Sequence, residues 1–409
     1  MSTHIRKAFV IPKELLILSL KTHQNKTTIY CRTHSKRKKC IHCKKPTRNF
    51  GTTQCTIRHN TIGAKTVYLN ITKRRLQCKH CKRVFVEPIK GLGRQRTSDH
   101  FVQLMQEKSR NQDFTSVADE MGVSPSMVMR KQDELDLCQF AIPEHEEVYL
   151  GLDGKYLNGE HEIFVIGDVK HRQFFGVTKD NNMESLKALL TKNLLREGKK
   201  VVTVSIDMCK RFKGLADTLF PEADIVVDKF HVITYVNRTI DLCRVVVEKS
   251  NNERFGIKRL LLMKASTLRK IETKPKWEHK AKYLRKILRE HPEIKILWDL
   301  KNYLHSFYRA KNRNTAERSF TKILQFLEEY RKVHPEFNDL IKTLETWKIY
   351  ILNHFDEGIT NAYIEGLNNK IETLKRKKCG YRSVERFLKS VVFSLLPILT
   401  FIPCPLFIN

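Results

Sequence analysis

The 409-residue sequence predicts a mixed α/β core, broken by a helical insertion and preceded by two small basic modules. Three observations predict it. Two paired-cysteine motifs, Cys40-Ile41-His42-Cys43 and Cys78-Lys79-His80-Cys81, sit in a basic N-terminal quarter. A helical pattern, a glycine and a capped second helical pattern follow over residues 114–130. From Val148 to Asp228 short apolar runs alternate with helical periodicity, and a long charged helical stretch then precedes a last amphipathic helix.

Charge narrows the partner before any motif is read. Lys plus Arg number 76 and Asp plus Glu 44, a net charge of +32. Residues 1–100 hold 24 basic against 3 acidic side chains, and the other 309 hold 52 against 41. Most of the excess therefore lies in the first quarter, which places the main polyanion-contacting surface there. The 11 cysteines are odd in number, and Met1-Ser2-Thr3-His4-Ile5-Arg6-Lys7 carries no long apolar signal core. A reducing cytoplasm fits, with thiols free or on metal. The apolar tail from Val391 is interrupted by Pro397, Pro403 and Pro405, so it reads as a buried segment and no membrane partner is expected.

Residues 1–30 form an N-terminal segment with a short amphipathic piece at 14–18. In the basic module, 31–90, Val67, Leu69 and Ile71 alternate with polar neighbours as a half-buried strand does. Cys40, Cys43, Cys78 and Cys81 can supply four thiolates to one tetrahedral Zn²⁺, a closed site with a structural role. The 34 residues between the pairs have room for a β-hairpin. Zinc would hold Lys36, Arg37, Lys38, Lys39, Arg74, Arg75, Lys82 and Arg83 toward DNA. Gly91-Leu92-Gly93-Arg94 reads as a linker.

Residues 95–140 carry a helix-turn-helix pattern. Val117, Ala118 and Met121 face inward, Gly122 stops the helix, Ser124 caps the next one and Pro125 opens it. Val128 packs inward, and Ser126, Met127, Arg130 and Lys131 are expected toward a DNA groove.

The core, 146–231 and 350–395, begins with a strand at 148–152 that ends at Asp153. Strands at 163–169 and 173–178 follow, then a helix, a strand at 201–206 that ends at Asp207, a helix, and a strand at 225–228. This β-β-β-α-β-α-β order is that of a ribonuclease H-like domain, in which the first and fourth strands are neighbours. Residues 232–349 form a helical insertion, and 396–409 an apolar tail. In the last helix, Ile364, Leu367, Ile371 and Leu374 form a stripe that packs on a sheet, with Glu365 beside it and Lys375 and Arg376 placed to track phosphates. Asp153, Asp207 and Glu365 can thus converge on a pair of divalent metals. Asp224 and Asp228 compete with Asp207, and Glu357 and Glu372 with Glu365.

The sequences Leu152-Asp153, Ser205-Ile206-Asp207-Met208, Val227-Asp228-Lys229-Phe230-His231-Val232, Ile364-Glu365-Gly366-Leu367-Asn368-Asn369-Lys370-Ile371 and Gly380-Tyr381-Arg382 resemble the insertion-sequence DDE transposases of the ISL-three family. The resemblance covers nearly the whole chain. It implies that Asp153, Asp207 and Glu365 are the catalytic triad on Mg²⁺ or Mn²⁺, with Asp228 and His231 supporting them from behind. It implies binding of terminal inverted repeats, strand cleavage and strand transfer into target DNA, on the bacterial nucleoid, by a dimer or larger assembly. Two other readings remain open: a non-catalytic, domesticated DNA-binding regulator, and a junction-resolving nuclease of the same fold.

Overall fold

The computed structural model describes every residue except 1, 35–37, 64, 93–95, 136–139, 158–160, 180, 378–382 and 397–409. The expected linker in part, Lys36, Arg37, Gly380-Tyr381-Arg382 and nearly all of the apolar tail lie outside the described residues. The chain forms two compact units, residues 1–137 with 372–409, and residues 138–371.

In the first unit a short helix, α1 (Ser2–Ala8), precedes β1 (Leu15–His23), β2 (Lys26–Thr33), β3 (Thr47–Ile62), β4 (Lys65–Cys78) and β5 (Val84–Val86). The sheet order is β1-β2-β4-β3, with β5 also on β4. The alternation read in β4 holds: Val67, Leu69 and Ile71 are buried with Leu15, Ile29, Cys31 and Ile57 in one small core. Gly63, at φ +57°, makes the tight turn between β3 and β4. A division at residue 30 therefore fails, because it falls inside β2. The piece at 14–18 opens β1, whose Leu15 shares the core of β4.

Three helices complete this part: α2 (Asp99–Ser109), α3 (Phe114–Met121) and α4 (Pro125–Asp133). Phe101, Met105, Val117, Ala118, Met121 and Val128 form their core. Asp113 caps α3 through the N–H groups of Thr115 and Ser116, Gly122 ends it at φ +59°, and Ser124 caps α4 ahead of Pro125. The sheet and helices are joined directly. Arg58 donates to Gly122 O at 2.6 Å, and His59 Nδ1 lies 2.9 Å from Ser98 Oγ.

The second unit is built on β6 (Glu147–Leu157), β7 (His161–Asp168), β8 (Gln173–Val177), β9 (Lys200–Ile206) and β10 (Asp224–Val227), in the order β10-β9-β6-β7-β8. Helix α5 (Met183–Leu190), extended by a π-helical turn, connects β8 to β9, and α6 (Lys210–Leu219) connects β9 to β10. The first strand thus pairs with the fourth, in parallel. Its length differs from the sequence reading. Asp153 does not end β6 but lies inside it, opposite Val165. The parallel pairing stops at Gly151 opposite Ser205, whereas the antiparallel pairing with β7 runs on to Leu157. Asp153 therefore stands just beyond the end of β9, where Asp207 also emerges.

Helix α7 (Lys229–Ser250) begins the insertion, followed by α8 (Lys258–Leu261), α9 (Ala265–Glu272), α10 (Pro275–Glu290), α11 (Pro292–Phe307), α12 (Arg313–Tyr330), α13 (Phe337–Leu352) and α14 (His354–Glu357). Their apolar stripes and one face of the sheet share a single core, from Phe140 to Leu352. The opposite face of the sheet receives α15 (Ala362–Lys377). The last helix is α16 (Val384–Leu395). It belongs to the first unit, where Ser394 donates to Arg110 O at 2.7 Å and Arg386 pairs with Asp133 at 3.2 Å. Its buried Phe387, Leu388, Val391 and Val392 supply the reason, an apolar face that the small three-helix core can cover. Among the described residues no helix is long and apolar enough to cross a membrane.

Candidate active site

Side-chain alternation brings the acids together. Val148, Leu150 and Leu152 of β6 enter the large core, so Gly151 and Asp153 point to the opposite face. That face is the one α15 covers. A Cβ at Gly151 would lie 2.7 Å from Ile364 Cγ1 and 2.8 Å from Asn361 Oδ1, and one at Gly167, the cross-strand partner, 3.2 Å from Ile364 Cδ1. Two glycines side by side thus let the helix sit on the sheet. Ile364, Leu367 and Ile371 anchor it, all buried, and this leaves Glu365 and Asn368 next to the acids. Asn368 Nδ2 donates to Asp153 Oδ2 at 2.6 Å.

Ligand atoms of Asp153, Asp207 and His231 all lie within 4.8 Å of one another. His231 comes from the first turn of α7, which Asp228 precedes. Asp228 is buried, accepts from the backbone N–H of Asn361 at 3.3 Å, and lies 3.3 Å from His231 Nδ1. The expected triad is therefore not the tightest group: His231 is in it and Glu365 is set back. Glu365 is still within electrostatic reach of Asp228 and Asp153.

The electrostatics describe a site short of positive charge. Burial raises Asp153 to about 6, helped by Asp207 and opposed by His231. Burial also raises Asp207 and Glu365 from their ordinary values. The bond to Asp228, with the charges of Asp153 and Asp207, pushes His231 up. Asp207 Oδ1, Glu365 Oε1, Asn361 Oδ1 and Asn368 Oδ1 are buried without a hydrogen-bond partner. Buried carboxylate and amide oxygens left unsatisfied are the donor set that a hard divalent cation takes.

The cysteine cluster is closed where this one is open. Cys40, Cys43, Cys78 and Cys81 offer sulfurs all within 4.8 Å of one another, with Cys40–Cys81 at 3.7 Å and Cys43–Cys78 at 3.4 Å. A tetrahedron with Zn–S near 2.3 Å needs S···S of about 3.8 Å. The two knuckles repeat one geometry. Cys40 N–H bonds to Lys45 O and Cys78 N–H to Arg83 O, and Lys44 and Lys82 each follow the second cysteine at φ near +60°. N–H groups of His42 and His80 reach Cys40 and Cys78 at 3.4 and 3.3 Å. Burial acts to raise the Cys78 thiol, but the N–H groups of Cys81 and His80 outweigh it and bring it to about 6.

The expected basic surface is only partly available. Arg74 is held by Glu87 through two hydrogen bonds of 2.9 Å, so its charge is internal. Of the α4 residues, Ser126 and Arg130 are exposed and Met127 half-buried. Lys131 is buried and paired with Glu134 at 2.7 Å. The reason is periodicity: Val128, Lys131 and Gln132 share the inner face of α4. Arg58, Arg96, Tyr68, Met127 and Arg130 line a cleft of about 710 Å³ between the sheet and α4. Lys375 and Arg376 lie in the last turn of α15, half-buried and exposed respectively.

A family model described as transposase, of the ISL3 group, matches residues 150–391. This chain belongs to the ISL3 transposase family. The zinc finger of transposases IS204/IS1001/IS1096/IS1165 matches residues 36–81 of this ISL3 transposase, the span of both knuckles. The transposase for insertion sequence element IS1001 of Bordetella parapertussis is 22% identical over 369 residues, 89% of this chain and 90% of the relative. A solved Drosophila P element transposase strand transfer complex aligns at 12% identity and a TM-score of 0.38, covering 72% of this chain and 91% of that one.

Sequence reasoning about this ISL3 transposase missed two contributors to the site, Gly151 and Gly167. Both carried a signal, since glycines inside strands mark close approach. Asn368, in the motif around Glu365, is read in that residue's neighbourhood, and the structure adds its bond to Asp153.

Proposed function

We propose that this transposase binds the terminal inverted repeats of an insertion sequence and catalyses metal-dependent DNA strand cleavage and strand transfer. In this reading the β6–β10 sheet is a ribonuclease H-like core, the α3–α4 pair is a helix-turn-helix that meets DNA with Ser126, Met127 and Arg130, and the ribbon adds backbone contacts. The observation that carries the proposal is the convergence of Asp153, Asp207 and His231 within 4.8 Å, beside buried, unpartnered carboxylate oxygens.

Asp153, Asp207 and Glu365 would hold Mg²⁺ or Mn²⁺, with His231 adjacent. Bound there, a metal pair would activate the attacking oxygen and stabilise the leaving 3′-oxygen of the scissile phosphate. The chain's own groups arrange the rest. Asn368 fixes the rotamer of Asp153 by donating to Oδ2. Asp228 holds His231 by Nδ1, so the imidazole can keep a proton at Nε2 beside the acids. The basic N-terminal unit neutralises phosphates and sets the position of the DNA end. Pairing two ends would require at least a dimer, acting in the cytoplasm on the nucleoid.

The test is nicking of a supercoiled plasmid carrying cognate ends, with Mg²⁺. Wild type should cleave at the ends and Asp207→Asn should not. Equal cleavage by both would overturn the enzymatic reading and leave the DNA-binding regulator. Cleavage of branched DNA without terminal repeats would instead favour the junction nuclease.

A further inference from the structure

The helical insertion contains a second mixed cluster, which shares α7 with His231 but uses a residue further along that helix. Cys243 on α7 is fully buried in the large core. His334 and Glu336 lie in the short connection between α12 and α13, His334 buried and Glu336 half-buried. One ligand atom from each of the three lies within 4.8 Å of the others.

We propose that Cys243, His334 and Glu336 form a structural site for a transition metal of the zinc class, which ties α7 to the α12–α13 connection. The donor set is the first reason. A thiol, an imidazole and a carboxylate together suit Zn²⁺, and do not suit Mg²⁺ or Ca²⁺. Zinc bond lengths of about 2.0–2.3 Å imply ligand–ligand spacings of roughly 3.3–3.8 Å, and the Cys243 Sγ–Glu336 Oε2 pair already stands at 3.5 Å.

The imidazole is the second reason. His334 Nε2 lies 3.0 Å from the carbonyl of Glu293. As the Nε2–H tautomer it donates there and keeps the Nδ1 lone pair free. A backbone carbonyl on the far nitrogen is the arrangement that orients metal-bound histidines. The connection is also held in place, by His334 N–H to Tyr330 O and Phe337 N–H to His334 O, both 3.0 Å.

Glu293 is the third. Its Oε2 is buried without a partner, and its charge acts on His334. A buried, unsatisfied carboxylate oxygen costs free energy unless something binds it. The Glu293 carboxylate is not among the three clustered ligand atoms, but its charge favours a cation beside His334. Simple core packing accounts for Cys243, whose thiol donates to Glu336 Oε2 at 3.5 Å. It leaves the Glu293 oxygen and the open imidazole nitrogen without a role. On binding, the thiol proton passes to solvent and the thiolate takes the metal.

The experiment is metal analysis of the full chain purified with Zn²⁺ and then desalted. Wild type should hold two tight zinc equivalents, one in the ribbon and one here. Cys243→Ser and Glu336→Gln should each hold one. Glu336 is half-buried, so its glutamine variant keeps the test valid if Cys243→Ser does not fold, which far-UV circular dichroism would report. Co²⁺ substitution adds a direct readout: the thiolate charge-transfer band should shrink in Cys243→Ser while the ribbon's remains. One equivalent in wild type, or two retained by Glu336→Gln with an unchanged cobalt spectrum, overturns the site.

Discussion

The ribbon and the acidic centre differ in what their donor atoms do without metal. In the ribbon, sulfurs approach sulfurs at 3.4–3.7 Å and backbone N–H groups already point at Cys40 and Cys78. Nothing is left open there, so the geometry suits an ion that enters once and stays. In the acidic centre, oxygens of Asp207 and Glu365 have no partner, and burial raises the acids. Its donors are few and part-neutralised by His231, which suits an exchangeable ion that also binds phosphate. The contrast teaches how one chain can offer a closed thiolate site and an open carboxylate site, with donor sets that suit different ions.

The strongest way to break that comparison is to remove a ligand from each side. Asp207→Asn should abolish end cleavage, by at least about 10³-fold, while leaving zinc content and end binding near wild type. Cys78→Ser should do the converse, losing the ribbon's zinc and its hydrogen-exchange protection, because zinc binding is folding free energy of about 10 kcal/mol in such modules. Chelation should separate them again. Brief EDTA treatment should stop cleavage, Mg²⁺ should restore it, and the ribbon's zinc should persist throughout. If EDTA removes both together, the two sites do not differ as argued.

A smaller effect concerns support for the acidic centre. Asn368→Ala removes the donor to Asp153, and losses of this kind cost about 10–100-fold in metal affinity or activity. Its pH profile gives the sharper readout. Asp153 must be deprotonated to hold a cation, so cleavage should fall as pH drops through about 6. The Asn368 bond favours the carboxylate, so its loss should move that midpoint upward. An unchanged midpoint would remove Asn368 from the site. Gly151→Ala should cost stability, about 1–3 kcal/mol, because the new methyl meets Ile364, Asn361 and Val169 Cγ1 at 2.5–2.8 Å. Urea denaturation would measure it, and cleavage should fall with it as α15 lifts from the sheet.

These tests fall partly on what the sequence made visible and partly on what it hid. The cysteine spacing and the stripe of Ile364, Leu367, Ile371 and Leu374 are local patterns, and the structure keeps them. The neighbouring of Asp153 and Asp207 follows from the order of elements and the fold that order matches, in which the first and fourth strands pair. What stayed hidden depends on partners distant in sequence. The true end of β6 is set by β7 outlasting β9. The grouping of α16 with the first unit rests on partners such as Arg110 and Asp133, more than 250 residues earlier. Arg74 was counted as a DNA contact because its partner Glu87 lies 13 residues away, on the following segment.

The smallest effect tests a correction within α4 itself. Arg130 and Lys131 are adjacent and both basic, but one is exposed and the other is buried against Glu134. If α4 meets DNA as proposed, Arg130→Ala should weaken end binding and lower the slope of log K against log salt by about 0.9, the signature of one lost phosphate contact. Lys131→Met keeps the apolar stem and removes a charge already answered by Glu134. It should leave the salt slope unchanged and alter affinity by less than about 3-fold, since a paired charge releases no counterion. Titrating labelled end DNA at several salt concentrations measures both variants at once. A slope change in Lys131→Met as large as in Arg130→Ala would mean that the Glu134 pair opens on DNA, and that the inner face of α4 takes part in binding.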